Sequence, residues 1–113
     1  METYQLVHPE HLNHYGHLFG GNLLKWVDEQ AWIAASIDYP NLLFVTVGMD
    51  KVEFKKGVQM GAVLRFDVQK ARVGHTSVTY RVDVYNGADI IFSTHVTFVH
   101  VDEHGHKKQL PES

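Results

Sequence analysis

The stretch Gly20-Gly21-Asn22-Leu23-Leu24-Lys25-Trp26-Val27-Asp28-Glu29-Gln30-Ala31-Trp32-Ile33-Ala34-Ala35-Ser36-Ile37 reads as one long helix, stopped by Pro40 with Tyr39 pushed toward an extended conformation. With Leu24 at zero on a wheel of about 100° per residue, Val27, Asp28, Ala31 and Ala35 fall within about 60° of it. Leu23 and Ala34 widen that stripe, while Trp26, Ile33 and Ile37 occupy the opposite side. Only a narrow strip of Lys25, Glu29 and Ser36 is polar. A helix apolar nearly all round is a buried one. Asp28 then stands on or beside its apolar face, where a carboxylate is costly unless something holds it.

Outward from this helix the pattern changes period. On the N-terminal side, Tyr4 to Val7 reads as a strand ended by Pro9, and residues 10–18 read as a loop rich in His and Asn. On the C-terminal side apolar and polar residues alternate. Phe44 to Phe54 is a strand with a bend near Gly48. Leu64, Phe66 and Val68 alternate with Arg65, Asp67 and Gln69, and Val78 to Tyr85 repeats the pattern. Ile90 to Val101 is the last strand. Turn signals at Lys56-Gly57, Val73-Gly74-His75 and Asn86-Gly87 separate them. A strand, one buried helix and four sequential antiparallel strands make an α+β domain. One sheet curled round one helix leaves too little cover for both helix faces, so two such units are expected to associate.

The length of 113 residues supports a single domain, 1–113, with the polar segment 102–113 expected to be a flexible tail. A net charge of -3 argues against nucleic acid as a partner. The absence of cysteine excludes disulfides and thiol catalysis. No apolar run approaches the roughly 20 residues of a membrane span, and the first residues lack a signal-peptide pattern, so a cytoplasmic protein is expected.

Several constellations carry chemistry. Gly20 and Gly21 open the helix, where bare backbone permits close approach and free N–H groups attract developing negative charge, as an oxyanion hole requires. The same pair also suits a tight loop-to-helix turn. Asp28, about two turns on, could hold or deprotonate a water beside a polarised carbonyl, or simply pair with Lys25. Asn13 could donate its amide to that water or to the carboxylate; by itself it also reads as a turn-stabilising loop residue. In Val73-Gly74-His75-Thr76-Ser77, backbone amides and hydroxyls could bind a phosphate or a pantetheine amide, or form an ordinary hairpin loop. His8, His11, His14 and His17 recur every three residues, but Pro9 and Gly16 break any regular helix through them and no metal-ligand spacing is present, so no metal is expected.

These residues resemble the acyl-CoA thioesterases of the hotdog superfamily, in its acyl-CoA hydrolase branch. The likeness lies in Asn13-x-x-Gly16-x-x-Phe19-Gly20-Gly21, in Asp28 within the long helix, and in Val73-Gly74-x-Thr76-Ser77, and spans roughly residues 10–100. The resemblance implies a hotdog fold, with a sheet wrapped around the central helix and paired as a homodimer, often assembled further into hexamers. It implies hydrolysis of an acyl-CoA thioester with no cofactor besides the coenzyme A of the substrate. Asp28 would be the general base or nucleophile, and Asn13 of the partner chain would orient water or carbonyl. The Gly20 and Gly21 amides would stabilise the oxyanion, and Gly74, Thr76 and Ser77 would touch coenzyme A. His75 replaces an arginine common in the family, which makes phosphate attraction there weaker or pH-dependent, with Arg72 as the compensating charge. Gly57 and Gly61-Ala62 also depart from the family's Pro and Gly-Asp, a structural change. Leu23, Trp26, Trp32 and Ile33 are candidates to line or block an acyl tunnel. The rival readings are a non-catalytic acyl-CoA-binding module and a hotdog hydratase or dehydratase.

Overall fold

The computed structural model describes residues 1–111. Strand β1 (Glu2–Leu6) leads through a short 3-10 turn (Pro9–His11) to helix α1 (Gly20–Asp38). Four strands follow: β2 (Leu43–Phe54), β3 (Val63–Val73), β4 (Ser77–Asn86) and β5 (Asp89–Val101). They form one antiparallel sheet in the order β1-β3-β4-β5-β2, so β1 and β2 are its edges. The elements sit where the sequence periods place them, within a residue or two of the expected bounds except at β3, which runs four residues beyond Gln69 to Val73. The expected bend near Gly48 is a register shift between Thr46 and Gly48 against β5. Gly87, at φ +62°, closes the β4–β5 hairpin in a backbone region that side chains disfavour.

Alternation sorts the two sheet faces. Leu64, Phe66, Val78, Tyr80, Val82, Phe92 and Phe98 all point toward α1 and are essentially inaccessible to water. The helix meets them with Leu23, Trp26, Val27, Ala31, Ala34 and Ala35. This corrects the wheel: its apolar centre is displaced, so that Trp26 faces the sheet and Asp28 lies on the flank, half-buried rather than buried. Two small residues, Ala31 and Ala35, let the helix settle closely on large side chains of the sheet, which is why its centre lies there. Nor is the helix covered all round, for Trp32, Ile33 and Ile37 remain 38%, 43% and 65% exposed. On the flank of Trp32, edge strand β2 exposes Leu43, Val45, Val47, Val52 and Phe54. An unpaired edge flanked by such residues is a pairing surface.

The described part of the segment expected to fray, 102–111, is held in place. Asp102 Oδ1 accepts the amides of His104 and His106 at 2.9 Å each, closing a turn. The chain then folds back, with Lys107 bridged to Val101 and Leu110 buried in the core. A single apolar residue with a place to go is enough to dock a polar tail. Positions 112–113 lie outside the described residues.

Candidate active site

The loop before α1 is built around Asn13. Its side-chain Oδ1 accepts the amides of Tyr15 (2.9 Å) and His17 (3.1 Å), and its own amide donates to the His17 carbonyl at 2.7 Å. The turn-stabilising reading of Asn13 therefore holds for its oxygen. With that oxygen committed, the carboxamide is fixed, and Nδ2 has no acceptor among the described residues. The loop is pinned to the helix start by the Phe19 amide and the Asn22 side chain, both donating to the His11 carbonyl (2.9 and 3.1 Å).

Helix α1 begins without a side-chain cap and without an acidic residue in its first turn. Its first helical bonds run from Asn22 and Leu23 to the Phe19 carbonyl, so the Gly20 and Gly21 amides have no acceptor among the described residues. Such orphan donors carry the positive end of the helix dipole. The ring of Phe54 lies over Gly20, where an added Cβ would stand 3.1 Å from it. At Gly21 an added Cβ would come within 2.6 Å of the Phe19 ring. Asn13 and Gly20 together line a cleft of about 350 Å³, with Leu23, Phe54 and the basic stretch Lys55-Lys56 on its other walls.

Asp28 is elsewhere. It sits eight residues along the helix from Gly20, about 12 Å of axial rise, on the flank facing β2. There the Thr46 hydroxyl donates to Asp28 Oδ1 at 2.9 Å. Lys25 does not pair with it, lying 3.9 Å from Glu29 instead. Thr46, which the sequence did not single out, is the residue the structure adds beside Asp28; it lies 18 positions away, and nothing local links the two. Within one chain, then, Asn13 and Gly20 are together and Asp28 is apart from them, on the side of the open edge.

The turn Gly74–Ser77 lies at the far end of the sheet, beside Tyr39 at the end of α1. Gly74 and His75 border a second cleft of about 350 Å³, closed by Gln109, Leu110 and Pro111. Arg72 is not in it. The register puts Arg72 opposite Thr79 on the outer sheet face, where it lines a different cleft with Asp50 and His95. Among the described residues there is therefore no compensating charge beside His75 in that cleft. Of the residues considered for an acyl tunnel, Leu23 and Trp26 are buried, whereas Ile33 and Trp32, the latter edge-on to Phe44 of β2, are exposed. Among the described residues no group of three or more His, Asp or Glu side chains is arranged to hold a metal. No helix among them is long and apolar enough to cross a membrane.

The model of the thioesterase superfamily matches residues 15–92, which include α1, strands β2, β3 and β4, and the first residues of β5. The chain belongs to the thioesterase superfamily. Mouse acyl-coenzyme A thioesterase 11 is 31% identical over 121 residues, covering 98% of this chain and 20% of that protein. The chain thus spans about a fifth of the length of that relative, and 14% of the mouse and rat acetyl-coenzyme A thioesterases. A hexameric thioesterase from Yersinia pestis superposes with a TM-score of 0.89 at 28% identity, covering 98% of this chain and 94% of that one. The acyl-CoA hydrolase of Staphylococcus aureus, solved with butyryl coenzyme A, coenzyme A and coenzyme A disulfide, gives 0.87 at 28% identity, covering 98% and 71%. It has also been solved with alanine in place of an asparagine, of an aspartate fifteen residues after it, and of a threonine. One helix on a five-stranded antiparallel sheet is the hotdog fold of such thioesterases.

Proposed function

We propose that residues 1–113 form one hotdog domain that hydrolyses an acyl-CoA thioester to free acid and coenzyme A. The observation that carries this reading is the division of the site. A rigid Asn13 side chain and the free amide of Gly20 at the helix start share one cleft, while Asp28, held by Thr46, looks toward an open edge strand. Pairing of two β2 edges around a two-fold axis would cover Leu43, Val45 and Val47 and set each Asp28 against the partner's Asn13 cleft. The spacing of fifteen residues between Asn13 and Asp28 matches that of the asparagine and aspartate replaced in the Staphylococcus aureus hydrolase, which supports the assignment.

The chemistry follows from these groups. The substrate carbonyl oxygen lies against the Gly20 and Gly21 amides, which stabilise it as negative charge develops. Asn13 Nδ2 orients the water or the carbonyl. Asp28 removes a proton from the attacking water, the new C–O bond forms, and collapse of the tetrahedral adduct breaks the C–S bond. The departing thiolate then takes up the proton. Asp28 acting as nucleophile would instead form a mixed anhydride that water opens. Coenzyme A enters and leaves as part of the substrate, so the reaction calls for no further cofactor. The working unit is at least a homodimer, and a hexamer if it assembles like the hexameric Yersinia pestis thioesterase. We place it in the cytoplasm, where acyl-CoA is the substrate pool such a site requires.

A panel of acyl-CoAs of increasing chain length, followed with a thiol reagent, tests this directly. Thiol release with a preferred chain length is the expected result. Saturable binding without thiol release would identify a binding module, and an enoyl product without thiol would identify a hydratase or dehydratase.

A further inference from the structure

The turn between β3 and β4 is held by a segment thirty-odd residues away. The His75 carbonyl accepts the Leu110 amide at 2.7 Å, the Thr76 carbonyl accepts the His100 amide at 2.8 Å, and the Ser77 carbonyl accepts the Gly74 amide at 2.8 Å. Three successive carbonyls are thereby engaged. The amides of His75 and Thr76 are left with no acceptor among the described residues. Adjacent free main-chain amides form a donor pair suited to a phosphate oxygen.

What fixes this arrangement is the end of the chain. Leu110 is 7% exposed and packs into the core, anchoring the tail. The Lys108 amide donates to the His100 carbonyl at 2.9 Å, and the His100 ring Nδ1 donates to the Gln109 carbonyl at 3.2 Å. Residue 100 therefore grips both the tail and the turn. Gln109, Leu110 and Pro111 of the tail and Val73, Gly74 and His75 of the turn line, with Tyr39, one cleft of about 350 Å³.

We propose that Lys107 to Pro111 is a strap that positions the His75 and Thr76 amides for the phosphate-bearing part of coenzyme A, with Leu110 as its positioning residue. This rests on the thioesterase reading above. Leu110 touches no reacting atom, so loosening it weakens capture of the coenzyme A handle and leaves bond cleavage alone.

The test compares hydrolysis of one acyl group carried by coenzyme A and by pantetheine, which lacks the nucleotide and its phosphates. In Leu110→Ala the KM for acyl-CoA is expected to rise about tenfold, the size of one lost charge-assisted contact, with kcat nearly unchanged. The KM for acyl-pantetheine stays at the wild-type value, and Leu110→Met restores the acyl-CoA value. If Leu110→Ala loses acyl-pantetheine turnover through misfolding, Gln109→Gly, which keeps the buried leucine, carries the same comparison. An unchanged acyl-CoA KM, or an equal rise for both substrates, overturns the strap and leaves the thioesterase reading standing. A wild-type chain that releases thiol from neither substrate overturns the thioesterase reading itself.

Discussion

The Thr46 hydroxyl donates a 2.9 Å hydrogen bond to Asp28 Oδ1 and so ties the flank of helix α1 to edge strand β2. The bond fixes one carboxylate oxygen and leaves the other without a partner among the described residues. One oxygen held and one free is what the proposed role of Asp28 as a base requires.

Removing the carboxylate is expected to lower thioester turnover by about 10²–10⁴-fold, the contribution of a positioned general base. Because Asp28 is only half-buried, Asp28→Ala should keep its circular dichroism spectrum and its oligomeric state. Thr46→Val, which removes the donor and keeps the shape, should cost about tenfold in kcat, as a positioning group does. Near-normal turnover in folded Asp28→Ala protein would reject the mechanism.

The separation of Asp28 from the Asn13 cleft yields a second prediction. Asp28→Ala and Asn13→Ala chains are each expected to be inactive alone. A mixed dimer of the two carries one site with both groups lost and one with both intact, so it should regain about half the wild-type activity of a dimer. Mixing purified variants under subunit exchange and measuring thiol release checks this. No recovery, with exchange demonstrated, would reject a shared site.

Packing gives a third. Phe98 is fully buried where Trp32, Phe44 and Tyr80 meet it edge-on, at centroid distances of 5.7, 6.1 and 6.3 Å. Phe98→Ala should cost about 3–5 kcal/mol of stability in urea denaturation, from lost burial and the cavity left behind. It should also loosen β2 against α1, since Phe44 and Trp32 share that cluster.

The tail gives a fourth. The His106 amide above all holds the Asp102 carboxyl below the usual carboxylate range; desolvation, next in size, opposes it, and the His104 amide, the His106 ring and Lys108 add to the lowering. A folded value below the unfolded one means that the stabilisation is complete above the unfolded value and is lost as pH falls through the folded one. The 102–106 turn is therefore expected to open on acidification below the ordinary carboxylate range and to stay closed at neutral pH. Amide exchange of His104 and His106 across that range measures it. Asp102→Asn should reduce the dependence, because an amide oxygen still accepts but does not titrate there.

Much of this protein is written in short-range pattern. The 3.6-residue period of 20–37, the alternation of Phe66 with Asp67 and of Tyr80 with Arg81, and the glycines at 74 and 87 each act over a few residues, so helix, strands and turns are legible without a structure. So were Asn13, Gly20 and Asp28 as unusual residues in their settings, although which of them share a cleft was not. Tertiary packing decided the rest. Which helix face is central depended on Trp26 finding the sheet, and this moved Asp28 from the apolar stripe to its flank. Thr46 reached Asp28 only because β2 returns alongside the helix, and Leu110 reached His75 only because the chain end folds across β5. Such contacts join residues 18 and 35 positions apart, and no local period encodes a distance of that kind; only the closing of the sheet on its helix brings them together.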